Sequence, residues 1–351
     1  MTVLVPIPDF STWPITVSLA ADRVQFAFKQ FFAAEIRNPH TRYAYLKGAE
    51  DFFSFVASRD GGNSLHTIDS LHVTTWIADM AARRLSAPTI KQRLAGLRML
   101  FRALVRERIL TINPAEVVRG PKHSVTTGKT PVLSGDEVNR LLRSINATTE
   151  FETLTALRDR AMIATMAYTF ARITAVTSLR IEHVFTQQRK LWLRLHDKGG
   201  KCHVIPCHHA LESYIADWLD AAGHRGQPDA PLFQTMSWKL VNEDKSTTDD
   251  DRDDLPLPRK KPLRHRVVSG RPMTQSLTWD VVQRRTKAAG IDTKVCNHTF
   301  RAAGITAYLS NGGTIERAAK IAGHVSTRTT QLYDRRPDDV TMDDISKILF
   351  E

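Results

Sequence analysis

Cysteine is scarce in this chain: three residues in 351, an odd number, which argues against a disulfide-stapled extracellular scaffold and fits a reducing compartment. No uninterrupted apolar run approaches the roughly 20 residues that span a bilayer, so no transmembrane segment is expected. The N-terminus lacks the basic start of a secretory signal, and Pro6, Pro8 and Pro14 interrupt its apolar residues. These absences together predict a cytoplasmic protein with no membrane partner. Acidic charge is in deficit as well, with 37 Asp and Glu against 49 Lys and Arg, a formal net charge of +12. That surplus calls for a polyanionic partner. Nucleic acid comes first, because Lys and Arg gain by releasing the counterions condensed on phosphates. Residues 165–335 hold no carboxylate cluster suited to a divalent ion, so neither a metal nor another cofactor is expected.

What is present is mostly helical periodicity, in a chain long enough for two domains with cores of their own. An arm at 1–18 precedes helices expected at 24–36, 40–57 and 70–84. The fourth helix has the clearest pattern: Ile90, Leu94, Leu97, Leu100, Phe101 and Leu104 make an apolar stripe, while Lys91, Arg93, Arg98, Arg102 and Arg106 lie largely elsewhere. Basic residues so clustered predict contact with a DNA backbone. Asn113-Pro114 closes a helical domain at 19–118, and 119–130 reads as a linker. Ser134 with Glu137 forms a capping signal that opens a second domain over 131–337. Within it, KLWLRLHDKGGKCHVIPCHH reads as a β-hairpin turning at Gly199-Gly200. Cys202, His203, Cys207, His208 and His209 do not make a zinc site there, since strand alternation puts Cys202 and His203 on opposite faces. A charged insertion at about 235–270 reads as a self-compensating surface loop. The fold class is therefore mainly α with a small β-hairpin or sheet, an α+β second domain behind a helical first one.

The segment HTFRAAGITAYLSNGGTIERAAKIAGHVSTRTTQLYDRR concentrates the chemistry. His298 and Arg301 are three apart and share a helix face. Thr314 can cap a following helix with Gly323 as its left-handed stop, which puts His324 on a turn. Ser326 or Thr327 can cap a third short helix that carries Tyr333 about two turns on. Imidazole and guanidinium donors beside a phenol suit phosphoryl transfer, with donors for phosphate oxygens, a base and a nucleophile.

The ordered set His298-x-x-Arg301, Gly323-His324 and Tyr333 resembles the C-terminal half of the tyrosine recombinases, the phage integrase family. TFARITAVTSLRIEHV resembles that family's first arginine box, usually Thr-Gly-Leu-Arg-Ile-Ser-Glu-Leu, and supplies Arg172. Phe170 and Ala171 replace the Gly and Leu of the box, and Ala175 stands where an acidic residue normally supports the site. The hairpin is similar to the family turn Gly-Lys-Gly-x-Lys-x-Arg-x-Val-Pro, with Asp197, Lys198, Gly199, Lys201, His203 and Pro206 at the corresponding places. The N-terminal helices resemble the core-binding domain of these enzymes. The resemblance implies a site-specific recombinase that cuts and rejoins double-stranded DNA through a 3′-phosphotyrosyl link, without metal or ATP. Its catalytic set would be Arg172, Lys198, His298, Arg301, His324 and the nucleophile Tyr333. Lys201 would be a backbone contact. A homo-oligomer on DNA, a tetrameric synapse, would form through the tail at 338–351. A type IB topoisomerase-like activity, or a non-catalytic DNA-binding protein on the same fold, is the competing expectation.

Overall fold

The computed structural model describes residues 13, 17, 20–60, 64–123, 128, 130–146, 150–197, 200–240 and 264–335. The N-terminal arm at 1–18 (save Trp13 and Val17), Lys198, Gly199, the charged centre of the insertion at 241–263 and the tail at 338–351 lie outside the described residues. Two compact units divide the chain, Met1–Ser124 and Val125–Glu351.

In the first unit, α1 (Asp22–Gln30) runs into a π turn at Phe31–Glu35, followed by α2 (Pro39–Asp60), α3 (Ser70–Ala82) and α4 (Ala87–Arg106). The starts follow from side chains that satisfy the first free amides. Asn38 Oδ1 accepts from the N–H groups of His40 and Thr41, Asp69 from Leu71 and His72, and Ser86 from Thr89. The apolar stripe expected for α4 is buried, and it meets an aromatic core in which Phe52 stands edge-on to Trp76 at 5.2 Å and to Phe101 at 5.9 Å. Truncating one of these rings to Ala would destabilise the unit by about 3–5 kcal/mol.

The second unit opens at the expected capping box, where Ser134 and Glu137 exchange bonds around the start of α5 (Gly135–Ser144). α6 (Glu150–Thr169) and the short α7 (Ile173–Thr177) follow. Then β1 (Val184–Gln187), β2 (Lys190–His196) and β3 (Cys202–Pro206) form an antiparallel sheet in that order, with Leu193 opposite Ile205. The four residues of β1 are too few to show an alternation in sequence, so the expected hairpin gains a strand. α8 (His209–Ala222) is capped by His208 and stopped by Gly223 at φ +66°. The stretch expected as a charged loop needs correction at both ends: β4 (Gln234–Leu240) and β5 (Arg264–Pro272) pair antiparallel. Their cross-strand partners include Trp238 and Arg266, whose guanidinium lies 5.0 Å from the indole ring.

α9 (Gln275–Ala288), α10 (Asn297–Ser310), α11 (Ile315–Ile321) and α12 (Thr327–Gln331) complete the described chain. α9 is tied to α6 through the fully buried Asp159, which accepts from Arg158, Arg284 and Arg285. α10 lies close on α6: a Cβ added at Gly304 would stand 2.2 Å from the Ala167 carbonyl oxygen. This close approach sets where His298 and Arg301, both on α10, come to lie.

Candidate active site

Between α6 and α7 the backbone turns through Phe170 at φ +52°, a left-handed conformation that disfavours side chains with a Cβ. Burial of its ring with Ile305, Leu309, Ala318 and Ala322 offsets that strain. The turn delivers two groups to one place. The Phe170 carbonyl accepts from Arg301 Nη1, and Arg172 becomes the residue before α7. Arg172 is half-buried, and its Nη1 donates to Asp197 Oδ1 at 2.7 Å.

Arg301 is 1% exposed, an unusual burial for a charge. Its Nη2 donates to the Ala322 carbonyl at 2.5 Å and to His324 Nε2 at 2.6 Å, whereas its Nε has no partner among the described residues. Burial, with the Arg172 charge added, lowers its pKa to about 10. It therefore stays protonated at neutral pH. His324 Nδ1 lies 2.8 Å from Thr330 Oγ1, and burial together with Arg301 and Arg172 lowers the imidazole to about 4. The neutral tautomer that fits both contacts donates from Nδ1 and accepts at Nε2. The expected phosphate donor is thus engaged by Arg301.

The caps anticipated around this loop form as expected: Thr314 accepts from Arg317, Gly323 takes φ +62°, and Ser326 accepts from Arg328. α12 is shorter than expected, and Tyr333 sits in the turn after it rather than on the helix. Its ring stacks on His324 at 5.7 Å and faces the Arg301 guanidinium at 5.8 Å. Thr306 donates to its carbonyl at 2.9 Å, while its hydroxyl makes no hydrogen bond among the described residues. Two residues on, Arg335 donates to the carbonyls of Gly128 and Thr130, and the Gly128 N–H donates to Leu332. The backbone that carries the phenol is therefore held on both sides.

His298 shares α10 with Arg301 but is exposed. Partial desolvation, then Arg301 and Arg172, hold its pKa below the usual imidazole value. A neutral imidazole near two cations can accept a proton. Lys201 is exposed, and its carbonyl accepts from the Asp197 N–H at 2.6 Å across the hairpin turn. Arg172, His298, Arg301, His324 and Tyr333 therefore belong to one cluster.

On α4 the basic residues divide by partner. Arg98 donates to the carbonyls of Ala115 and Val118, Arg93 pairs with Asp51, Arg102 with Glu116, and Arg106 with Glu35. Lys91 is exposed and makes no ion pair among the described residues. Sequence reasoning did not single out Thr306, Thr330, Arg335 or the role of Asp197. Asp197 could have been suspected, since it replaces the hairpin glycine of the family turn beside Lys198.

The sequence profile of the phage integrase family matches residues 131–339, and that of the phage integrase N-terminal SAM-like domain matches 27–108. Tyrosine recombinase XerC of Mycobacterium sp. (strain JLS) is 25% identical over 308 residues, 88% of this chain and 92% of that protein. A lambda integrase (75–356) dimer bound to a COC′ core site has the same fold at a TM-score of 0.62 and 13% identity, covering 91% of this chain and 97% of that one. XerH site-specific recombinase bound to palindromic difH, a post-cleavage complex, aligns at a TM-score of 0.60 and 18% identity, covering 91% and 82%.

Proposed function

The chain belongs to the phage integrase family, and from that premise we propose that Tyr333 is the nucleophile with which it cuts and rejoins DNA. The protein is a tyrosine-type site-specific DNA recombinase. The observation that carries the assignment of residues is the phenol stacked on His324 over the buried Arg301, its hydroxyl making no hydrogen bond among the described residues.

A free phenol titrates near pKa 10, so forming the phenolate at pH 7 costs about 4 kcal/mol. A base must take the proton as attack proceeds, and His298, held neutral, serves. The Tyr333 oxygen bonds to phosphorus while the bond to the 5′-oxygen breaks. Lys198 gives that oxygen its proton, leaving a 3′-phosphotyrosyl link and a free 5′-hydroxyl. The link keeps the phosphodiester energy, so a 5′-hydroxyl of another duplex reverses the step without ATP.

Arg172 and Arg301 supply the stabilising charge. Burial first, and then the charge of Arg172, lower the pKa of Arg301, and the repulsion between the two cations is relieved when a phosphate enters, most of all in the pentacoordinate state, where negative charge is greatest. A donor of this kind commonly contributes about 2.7–4 kcal/mol. More than one protomer works on each DNA complex, and the protein acts in the cytoplasm. Among the described residues no helix is long and apolar enough to cross a membrane.

The test is covalent trapping. The full chain is incubated with a library of nicked duplexes carrying a randomised core, and denaturation-resistant adducts are recovered and sequenced. The expected result is adducts at an enriched sequence that disappear in Tyr333→Phe while DNA binding persists. Adducts in Tyr333→Phe would place the nucleophile elsewhere, and none in the native protein would reject cleavage.

A further inference from the structure

We propose that Asp197, reaching from the β2–β3 hairpin, is the positioning residue for Arg172, in the place of the carboxylate that Ala175 cannot supply. The inference rests on the recombinase reading and deepens it.

Ala175, one turn into α7, is 1% exposed and offers only a methyl group. Asp197 comes from a different element and fixes the same guanidinium. Its Oδ1 accepts from Arg172 Nη1 at 2.7 Å, and its Oδ2 lies 3.3 Å from His203 Nδ1. Its side chain is 5% exposed. Its backbone is pinned as well, because its N–H donates to Lys201 across the turn at 2.6 Å. The opposite wall is Gly323: a Cβ there would stand 2.3 Å from Asp197 Oδ2, so the carboxylate occupies space that only glycine leaves. Held on these sides, the carboxylate cannot swing away.

The geometry favours support over blockade. Only Nη1 of Arg172 is engaged among the described residues, and the side chain is 30% exposed, so Nη2 and Nε remain for an incoming phosphate. A guanidinium presents five N–H donors in a fixed fork, and fixing one edge orients the other. The negative charge also lies among Arg172, Arg301 and His203, where it offsets cation repulsion before DNA arrives. Asp197 immediately precedes Lys198 in the chain. One contact thereby registers the hairpin bearing the proposed general acid against the arginine that holds the phosphate.

The experiment uses the full chain and the duplex enriched by trapping, nicked so that cleavage is irreversible. Asp197→Asn keeps the shape and removes the charge. It should bind the duplex within twofold of the native protein and melt at a similar temperature, yet form adducts at least tenfold more slowly. In an Arg172→Ala background the same change should add less than twofold, because its effect passes through that arginine. Placing the acid at its alternative position should restore function: Ala175→Glu in Asp197→Ala should regain at least fivefold over Asp197→Ala alone. Cleavage by Asp197→Asn within twofold of the native rate, or faster, overturns the proposal, and so does an undiminished loss in Arg172→Ala. Loss of duplex binding or of the melt in Asp197→Asn also overturns it, by making the residue structural. If the native protein forms no Tyr333-dependent adduct, it is the recombinase assignment that fails, a result separable from all of these.

Discussion

Nη2 of Arg301 lies 2.6 Å from Nε2 of His324, a contact possible only if that nitrogen carries a lone pair. The imidazole must therefore be neutral while the guanidinium is charged. This couples stability to pH with a definite sign. An unfolded histidine titrates near 6.5, whereas His324 in the fold titrates at about 4. Above pH 6.5 both states are neutral and the contribution is complete. As pH falls from 6.5 towards 4 the unfolded chain takes up a proton that the native state refuses, and stability declines by on the order of 3 kcal/mol. His183, His208, His224 and His298 are lowered too and share in the slope. His324→Asn should accordingly flatten the dependence of denaturant midpoint on pH between 6.5 and 4 without abolishing it. An unchanged slope would mean that the burial of His324, and with it the Arg301 contact, does not hold in solution.

The approach of α10 to α6 yields a second prediction. An alanine is a better helix former than glycine by about 1 kcal/mol, so Gly304→Ala would stabilise an isolated α10. In the fold its Cβ would lie 2.2 Å from the Ala167 carbonyl oxygen and 2.6 Å from the Phe170 ring. Backbone cannot yield as a flexible side chain does, and overpacking of this kind costs about 1–3 kcal/mol. The clash should win: thermal unfolding of Gly304→Ala should begin several degrees lower, and adduct formation should fall with it, since α10 carries His298 and Arg301. A melting temperature at or above the native value would show that the two helices stand further apart.

The segment around Tyr333 shows what the sequence can and cannot convey. Caps are local, so Thr314, Gly323 and Ser326 could be read from residue type and spacing alone. The Arg172–Asp197 pair joins the start of α7 to a hairpin turn 25 residues away and exists only once both elements are packed. Phe170 contradicts its local preference: nothing in its type predicts φ +52°, and only burial against α10 and α11 explains it. Threonines such as Thr306 and Thr330 are too common to attract notice, although one holds the Tyr333 carbonyl and the other His324. In β5 the run Arg-His-Arg before Val267 and Val268 reads as loop charge, yet it pairs strand to strand with β4.

Arg335 offers a test of how firmly the nucleophile is held. Its Nη1 donates to Leu332 at 2.8 Å, and its Nη2 to Gly128 at 2.5 Å and Thr130 at 3.3 Å. These three carbonyl contacts clamp the chain just before and after Tyr333. Each such bond contributes about 1 kcal/mol, enough to change local order while leaving the core intact. Arg335→Ala should keep its thermal midpoint within a few degrees, exchange the amide of Tyr333 faster, and cleave about tenfold more slowly. Arg335→Lys should recover little, because a lysine ammonium lacks the planar fork. Unaltered exchange at Tyr333 would show that the clamp does not order the segment.

The basic residues of α4 should separate into two classes by salt dependence. Arg98 is turned inward to the carbonyls of Ala115 and Val118, so its removal strands two acceptors inside the helical unit. Arg98→Ala should therefore destabilise that unit by about 1–3 kcal/mol. Lys91 is exposed and has no ion pair among the described residues, which leaves its charge available to a phosphate. Each phosphate neutralised adds roughly 0.9 to the slope of log affinity against log salt on duplex DNA. Lys91→Ala should leave unfolding unchanged and lower that slope by nearly one. Arg102 and Arg106 stand between these cases, since their partners Glu116 and Glu35 could be exchanged for phosphate. If they make that exchange, each Ala variant lowers the slope as Lys91→Ala does. If the pairs persist on DNA, the slope is unmoved and the contact surface of α4 narrows to the lysine. Binding isotherms on one duplex across a salt series decide between the two.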